Sequence, residues 1–321
     1  AMAGVRPPRM NYAPTLSPDL VDDGKVSAAQ LENIAYAGQA HSQTLEPDKE
    51  GGVGARRGFF IGDGTGSAKG RQIAGIMADN FNQGRKRAVW LSKTKTLLED
   101  ARRDFADIGI DPASMIDWDH FKKQGGLQDG QTLFIPYTTL RSGPRDKSLD
   151  SNSQAIIKSL GPDFDGVIAF DEAHLMGNAV KTAGKRGGKE PSQQALAGVE
   201  LQRELPNARV VYSSATGDRL GLWGRGTSFN DKSDFINKMS AGGIATMEAI
   251  AQSMKATGSY ASRSLAMSDG TPEGTVQHQR LSISLSDEQK AKYDKMADAW
   301  SVVLNNINEA LKDTNGSADA K

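Results

Sequence analysis

Five short apolar runs punctuate the first two thirds of the chain: Gly58 to Ile61, Ala88 to Leu91, Thr132 to Ile135, Val167 to Phe170, and Arg209 to Ser213. Between them, apolar residues recur at helical spacing. Ile73, Ile76, Met77 and Phe81 follow the first run, and Leu97, Leu98, Ala101, Phe105 and Ile108 follow the second. Further helices are expected near 151–159 and 191–204, and Ser27 is placed to cap another that reaches about Ala40, with Leu31, Ile34, Ala35 and Gly38 on one face. Runs that are apolar throughout suit strands buried on both faces. Their alternation with helices predicts an α/β fold in which a parallel sheet is sandwiched by helices. Such sheets bind ligands at the carboxyl ends of their strands, and the residues able to do chemistry fall at those ends.

The first run leads into a glycine-rich turn that opens a helix: Gly64, Thr65, Gly66, Ser67, Ala68, Lys69, Gly70 and Arg71. Backbone N–H groups in such a turn can wrap a triphosphate, and the helix N-terminus adds positive potential. Lys69 would reach the β- and γ-phosphates. Two positions depart from the common pattern. Ala68 stands where a glycine usually precedes the lysine, and it strains the loop if that position needs positive φ. Gly70 replaces the hydroxyl residue that normally serves Mg²⁺. Alone, this stretch could equally be a glycine-rich surface turn.

The fourth run ends in Asp171, Glu172, Ala173 and His174. Asp171 would hold Mg²⁺ through water, and Glu172 would orient and deprotonate the attacking water. Adjacent carboxylates at the end of a buried strand are costly without a cation or solvent beside them. The plainer reading is a pair of acids favouring a helix dipole, but with the upstream loop they form two halves of one ATP site. After the fifth run, the hydroxyls of Ser214 and Thr216 could bond the acidic motif, of which His174 is part, and couple hydrolysis to lobe movement. Gln30 can donate and accept at once, which matches an adenine edge, although a helical glutamine alone is more often only solvated.

Lys93, Thr94 and Lys95 follow the second run, and Thr138, Thr139 and Arg141 follow the third. They would share one edge of the sheet, where they could contact a nucleic-acid backbone; a solvated rim is the ordinary alternative. Lysine plus arginine equal aspartate plus glutamate at 39 each, so any such contact must come from local clusters. No aromatic residues interleave with the basic ones, which favours tracking of phosphates over base stacking. The chain lacks cysteine, which excludes disulfides and thiolate metal sites, and its four histidines are scattered. No apolar run approaches the ~20 residues of a membrane span, and the start lacks a signal peptide's pattern. An intracellular protein is the default expectation, with Ala1 before Met2 resembling an expression scar.

Residues 1–25 read as an extended, proline-bearing arm, 26–220 as the nucleotide-binding lobe, and 221–321 as a mainly helical extension. That extension holds a glycine-rich loop from Gly221 to Gly226, a helical stretch from Lys232 to about Thr257, a strand-like Gln279 to Leu285, and a final helix opened by a Ser286–Gln289 capping box.

The stretch from Ala28 through Gly75, together with segments 170–178, 212–217, 220–227 and 247–263, resembles the strawberry notch helicase-like ATPases. The segments occur in family order and cover roughly residues 26 to 300. The resemblance implies the first RecA-like lobe of a superfamily 2 motor carrying the sites above, with ATP and Mg²⁺ as cofactors. It also implies DNA as partner, RNA being equally compatible with the residues, and a second RecA-like lobe, in cis or in trans, to supply an arginine finger. Gly70 is similar to the family's own loop, whereas Ala68 departs from the family's glycine. Bacterial and phage members are often segments of very large proteins joined to methyltransferase domains, so such a domain is an implied neighbour. The chain is therefore expected to be a fragment or a half-motor that binds ATP better than it hydrolyses it. The competing reading, motivated by Ala68, is a degenerate motor kept as a structural or interaction module.

Overall fold

The computed structural model describes residues 5–47, 54–143, 150–176, 192–214, 248–263 and 286–313. Among these, seven strands form one sheet: β1 (Phe59–Ile61), β2 (Ala88–Ser92), β3 (Met115–Ile116), β4 (Thr132–Pro136), β5 (Val167–Asp171), β6 (Arg209–Ser213) and β7 (Tyr260–Ala261). Their order is β3-β4-β2-β5-β6-β1-β7 and every pair is parallel. The helices are α1 (Asp19–Asp22), α2 (Ala28–His41), α3 (Lys69–Asn82), α4 (Leu98–Ile108), α5 (Trp118–Gln124), α6 (Tyr137–Leu140), α7 (Asn152–Leu160), α8 (Gln193–Glu204), α9 (248–256) and α10 (Asp287–Asp313).

Successive strand residues point to opposite faces, and both faces are covered, which is why the runs are apolar throughout. Phe59, Ile61 and Trp90 join Ile73, Ile76 and Phe105 in a core under α2, α3 and α4. Phe60, Val89 and Leu91 join Ile156 and Leu201 in a second core under α7 and α8. On this second face an aromatic row crosses four neighbouring strands. Tyr260 lies opposite Phe60, Phe60 opposite Tyr212, and Tyr212 opposite Phe170. Their ring centroids are 5.6, 6.2 and 5.7 Å apart in that order.

Local chemistry explains several boundaries. Ser27 Oγ accepts from Gln30 N at 3.3 Å while Gln30 Oε1 accepts from Ser27 N at 2.9 Å, so α2 opens with a reciprocal cap. Gly109 and Gly125 end α4 and α5 in the left-handed region. Three short elements between residues 112 and 140 have no counterpart in the sequence reading: β3, α5 and α6. With two to seven residues each, they are too brief to show a period.

The arm is free of regular structure from residue 5 to residue 17, then turns into α1, and it is docked. Tyr12 Oη donates to Asp79 Oδ2 at 2.6 Å, and Thr15 N donates to Asp79 Oδ1 at 2.6 Å. Asn11 N and Arg9 O both bond the Gln39 amide. The Tyr12 ring lies so close to α2 that a Cβ at Gly38 would fall 2.0 Å from it. At the other end, the sheet reaches past residue 220, where the sequence reading ended the lobe. β7 pairs with β1, and the compact unit runs from Ala1 to Leu265. The second unit, Ala266–Lys321, contains α10, which opens with the expected Ser286–Gln289 box. Thr216, the Gly221–Gly226 loop and the 279–285 segment lie outside the described residues, as does the expected helix before residue 248.

Candidate nucleotide and nucleic-acid site

Ile61 of β1 and Asp171 of β5 both lie opposite Ser213 of β6. At the usual strand spacing they sit about 10 Å apart on the same edge. The glycine loop leaves β1 one residue later, and the acidic pair ends β5. Two motifs far apart in sequence therefore stand on one edge of the sheet.

Lys69 begins α3, and its Nζ donates to Asp63 O and Gly64 O, both at 3.1 Å. The ammonium thus lies over its own loop. Ala68 precedes it at φ 47° and ψ 57°, the left-handed region, so this position does require the conformation that glycine adopts most freely. An alanine there costs about 1–2 kcal/mol relative to an unstrained backbone. Ala68→Gly is accordingly expected to raise stability by about 1 kcal/mol after glycine's unfolded-state entropy is subtracted. Urea unfolding would read this as a higher midpoint at constant m; a lower midpoint would mean that the methyl group's packing outweighs the strain.

Beneath the loop lies a polar network that sequence reasoning missed. The buried Asp63 carboxylate accepts from Asn33 Nδ2 at 2.8 Å, Gln72 Nε2 at 3.1 Å and the backbone N of Arg263 at 3.0 Å. Arg263 O in turn accepts from Gly64 N at 3.1 Å, which removes Gly64 N–H from the donors available to phosphate. The Arg263 side chain reaches Ala29 O and the Glu32 carboxylate. The segment after β7 is thereby fastened to the loop and to α2. An aspartate inside a glycine-rich turn gave no hint of this in sequence, because its partners come from three distant places.

Two residues expected to bind cofactor are otherwise engaged. Gln30 uses Oε1 in the α2 cap and Nε2 on Ser67 O at 3.1 Å, so it touches the loop itself. Arg71 points to α4, where it pairs with Asp104 at 3.3 Å and with Asp107, and donates to Lys25 O at 2.8 Å. Two half-buried carboxylates hold it there. Ser67 Oγ donates to Gly64 O at 2.9 Å and shapes the turn, whose crest at Thr65, Gly66 and Ala68 is exposed, with Lys69 and Gly70 half-buried.

Asp171 Oδ2 accepts from Ser92 Oγ at 2.9 Å, Oδ1 accepts from Glu172 N at 3.0 Å, and the backbone O accepts from the buried Tyr137 Oη at 2.7 Å. Burial pushes the Asp171 carboxyl up; the Ser92 hydroxyl pulls it down and the Glu172 charge pushes it up again. The folded chain therefore favours protonation of this carboxyl more than the unfolded chain does. Stability falls as pH climbs from the ordinary value of 3.8 through the raised one, and a bound cation would relieve that penalty. Glu172 adopts φ 51°, a strained value for a residue with a Cβ. Its Oε2 lies 3.2 Å from His174 Nδ1, which also lies 3.1 Å from Ser214 Oγ. The acidic motif and the end of β6 are thus joined through His174. The donor set fits a nucleotide carrying Mg²⁺: a half-buried lysine, a helix N-terminus, and a half-buried carboxylate bonded by a hydroxyl and an N–H.

Lys93, Thr94, Lys95, Thr138 and Thr139, which leave β2 and β4, line one cavity of ≈ 390 Å³ with Asp117, Trp118 and Asp119. Lys95 is paired with Asp117 at 2.9 Å and Asp119 at 3.7 Å, which leaves Lys93 as its less encumbered basic group. Arg141 is exposed, follows α6, and does not line the cavity. Trp118 brings an aromatic ring to the groove from an element that the sequence reading did not contain.

A parallel sheet between helices, a glycine loop feeding α3, and an Asp-Glu pair two strands away fit the class of P-loop NTPases. The chain belongs to the family described as P-loop containing NTP hydrolase pore-1, which it matches over residues 1–295. It is 38% identical over 320 residues to protein strawberry notch homolog 1 of Gallus gallus, an alignment covering 94% of this chain and 24% of that protein. Against protein FORGETTER 1 of Arabidopsis thaliana, identity is 34% over 316 residues, covering 94% of this chain and 23% of that protein. The chain thus spans about a quarter of the length of these curated relatives. Among solved structures, the Sulfolobus solfataricus SWI2/SNF2 ATPase core in complex with dsDNA aligns with a TM-score of 0.47 and 14% identity, covering 74% of this chain and 44% of that one. No helix among the described residues is long and apolar enough to cross a membrane.

Proposed function

We propose that this chain is the first motor lobe of an intracellular, ATP-driven nucleic-acid translocase, acting on DNA. The observation that carries the reading is the shared row of Ile61, Ser213 and Asp171, which brings loop and acids to one edge. ATP would bind along Thr65 to Gly70, with Lys69 leaving Asp63 O and Gly64 O to meet the phosphates. Magnesium, held through water by Asp171, would neutralise charge that develops during phosphoryl transfer. Glu172 would orient the attacking water and take its proton, while His174 and Ser214, with Thr216, report the state of that carboxylate to β6. Gln30 would read adenine by exchanging one of its present partners. Lys93, Thr94, Lys95 and Thr139, with Arg141 at the rim, would hold the phosphate backbone. A second RecA-like lobe, in cis or trans, would complete the catalytic site, and a methyltransferase domain is a candidate neighbour.

The test is the melting of this chain with and without Mg-ATP, beside Lys69→Ala. A ligand at ~100 times its Kd adds ~2.7 kcal/mol, so a clear upward shift that is lost in the variant is expected. The left-handed Ala68 and the folded-back Lys69 favour one competing reading, a non-hydrolysing lobe kept for assembly; no shift at millimolar nucleotide would establish that reading instead.

A further inference from the structure

Residue 70 follows the loop lysine, where a seryl or threonyl hydroxyl commonly serves the magnesium ion. Here it is glycine, and the packing shows why. A Cβ on Gly70 would lie 2.2 Å from Asp104 Oδ2, 3.3 Å from its Cγ and 3.9 Å from the Trp90 ring. No side chain fits without moving the carboxylate. Asp104 belongs to α4 and is held by Arg71 Nε on Oδ1 at 3.3 Å, with Arg71 itself held by Asp107 and Lys25 O. Oδ2 is thereby presented in the space that a hydroxyl-bearing side chain would need. Burial pushes this carboxyl up, although Arg71 pulls it down.

We propose that Asp104 supplies the oxygen that residue 70 lacks, its Oδ2 accepting hydrogen bonds from the water shell of the magnesium ion carried by the nucleotide. Mg²⁺ keeps several of its waters when bound to nucleotides, so a carboxylate set back on a neighbouring helix can serve where a short hydroxyl cannot. Gly70 and Asp104 then act as one functional unit split between α3 and α4. This rests on reading the loop as an ATP site.

The test measures the Kd of a fluorescent N-methylanthraniloyl ATP in Mg²⁺ and in EDTA, for wild type, Asp104→Asn, and Asp104→Ala combined with Gly70→Ser. Asn keeps an acceptor for Arg71. Asp104→Asn is expected to lower the tightening due to Mg²⁺ by about tenfold, the low end for loss of an outer-sphere metal partner, without weakening the affinity in EDTA. The combined variant is expected to regain most of the Mg²⁺ effect through its new hydroxyl. An unchanged Mg²⁺ effect in Asp104→Asn would overturn the proposal and leave Asp104 as a partner of Arg71 alone. An equal loss in Mg²⁺ and EDTA would overturn it too, by showing a disturbed loop. Absence of nucleotide binding by wild type in either condition is a different failure: it removes the ATP-site reading itself, and the proposal with it.

Discussion

Glu172→Gln is expected to lower ATP hydrolysis by about 10²–10⁴-fold, the usual contribution of a positioned general base, in a protein carrying this lobe and its successor. Mg-ATP affinity should stay within a few-fold of wild type. The substitution keeps shape and backbone demand, since glutamine meets the same left-handed φ of 51°. It also keeps a polar atom for His174 Nδ1, now 3.2 Å from Oε2. What it removes is the ability to take a proton. Steady-state hydrolysis with duplex DNA, with RNA and with neither is the measurement. Hydrolysis unaffected by the change would sink the assignment of Glu172, and stronger stimulation by RNA would redirect the partner from DNA.

Asp63→Ala should destabilise the fold by about 3 kcal/mol or more, since hydrogen bonds to a charged acceptor are worth about 1.5–3 kcal/mol each and stranded buried donors cost about as much. Three donors lose the carboxylate at once: Arg263 N, Asn33 Nδ2 and Gln72 Nε2. Asn33 keeps Gln72 Oε1 and Gln72 keeps Ser67 O, so the damage centres on Arg263 and on the link between β7 and the loop. Asp63→Asn should fall between wild type and Ala, because one amide oxygen cannot serve both sides. Urea unfolding of the three proteins checks the order. A change below 1 kcal/mol in the alanine variant would mean that the loop is framed mainly by its backbone.

The contrast between Lys69 and Asp63 shows where sequence reasoning reached. The glycine loop and the acidic pair each follow a buried strand, and a parallel sheet gathers strand ends on one edge, so their placement on a common edge could be anticipated from order alone. The positive φ at Ala68 was foreseeable for the same reason, because a glycine usually stands there. Asp63, Asn33, Gln72 and Arg263 obey no local period; they become partners only when α2, α3 and the segment after β7 converge. Arg71 shows the opposite error. Its place in the motif suggested phosphate, but α4 offers it two carboxylates that no spacing in the loop could reveal. Trp118 reached the groove on a seven-residue helix, which is shorter than any window that reports helical periodicity.

The aromatic row of Tyr260, Phe60, Tyr212 and Phe170 lies one residue before the row that ends in Asp171 and opens the glycine loop. Because side-chain direction reverses at each step, sliding any of these strands by one residue would turn its ring into the wrong core. The spacing between the start of the glycine loop and the carboxylates is therefore set by residues of the core. Such a division of labour leaves exposed loop positions such as Ala68 open to substitution, while the distance between the ends of β1 and β5 stays constant.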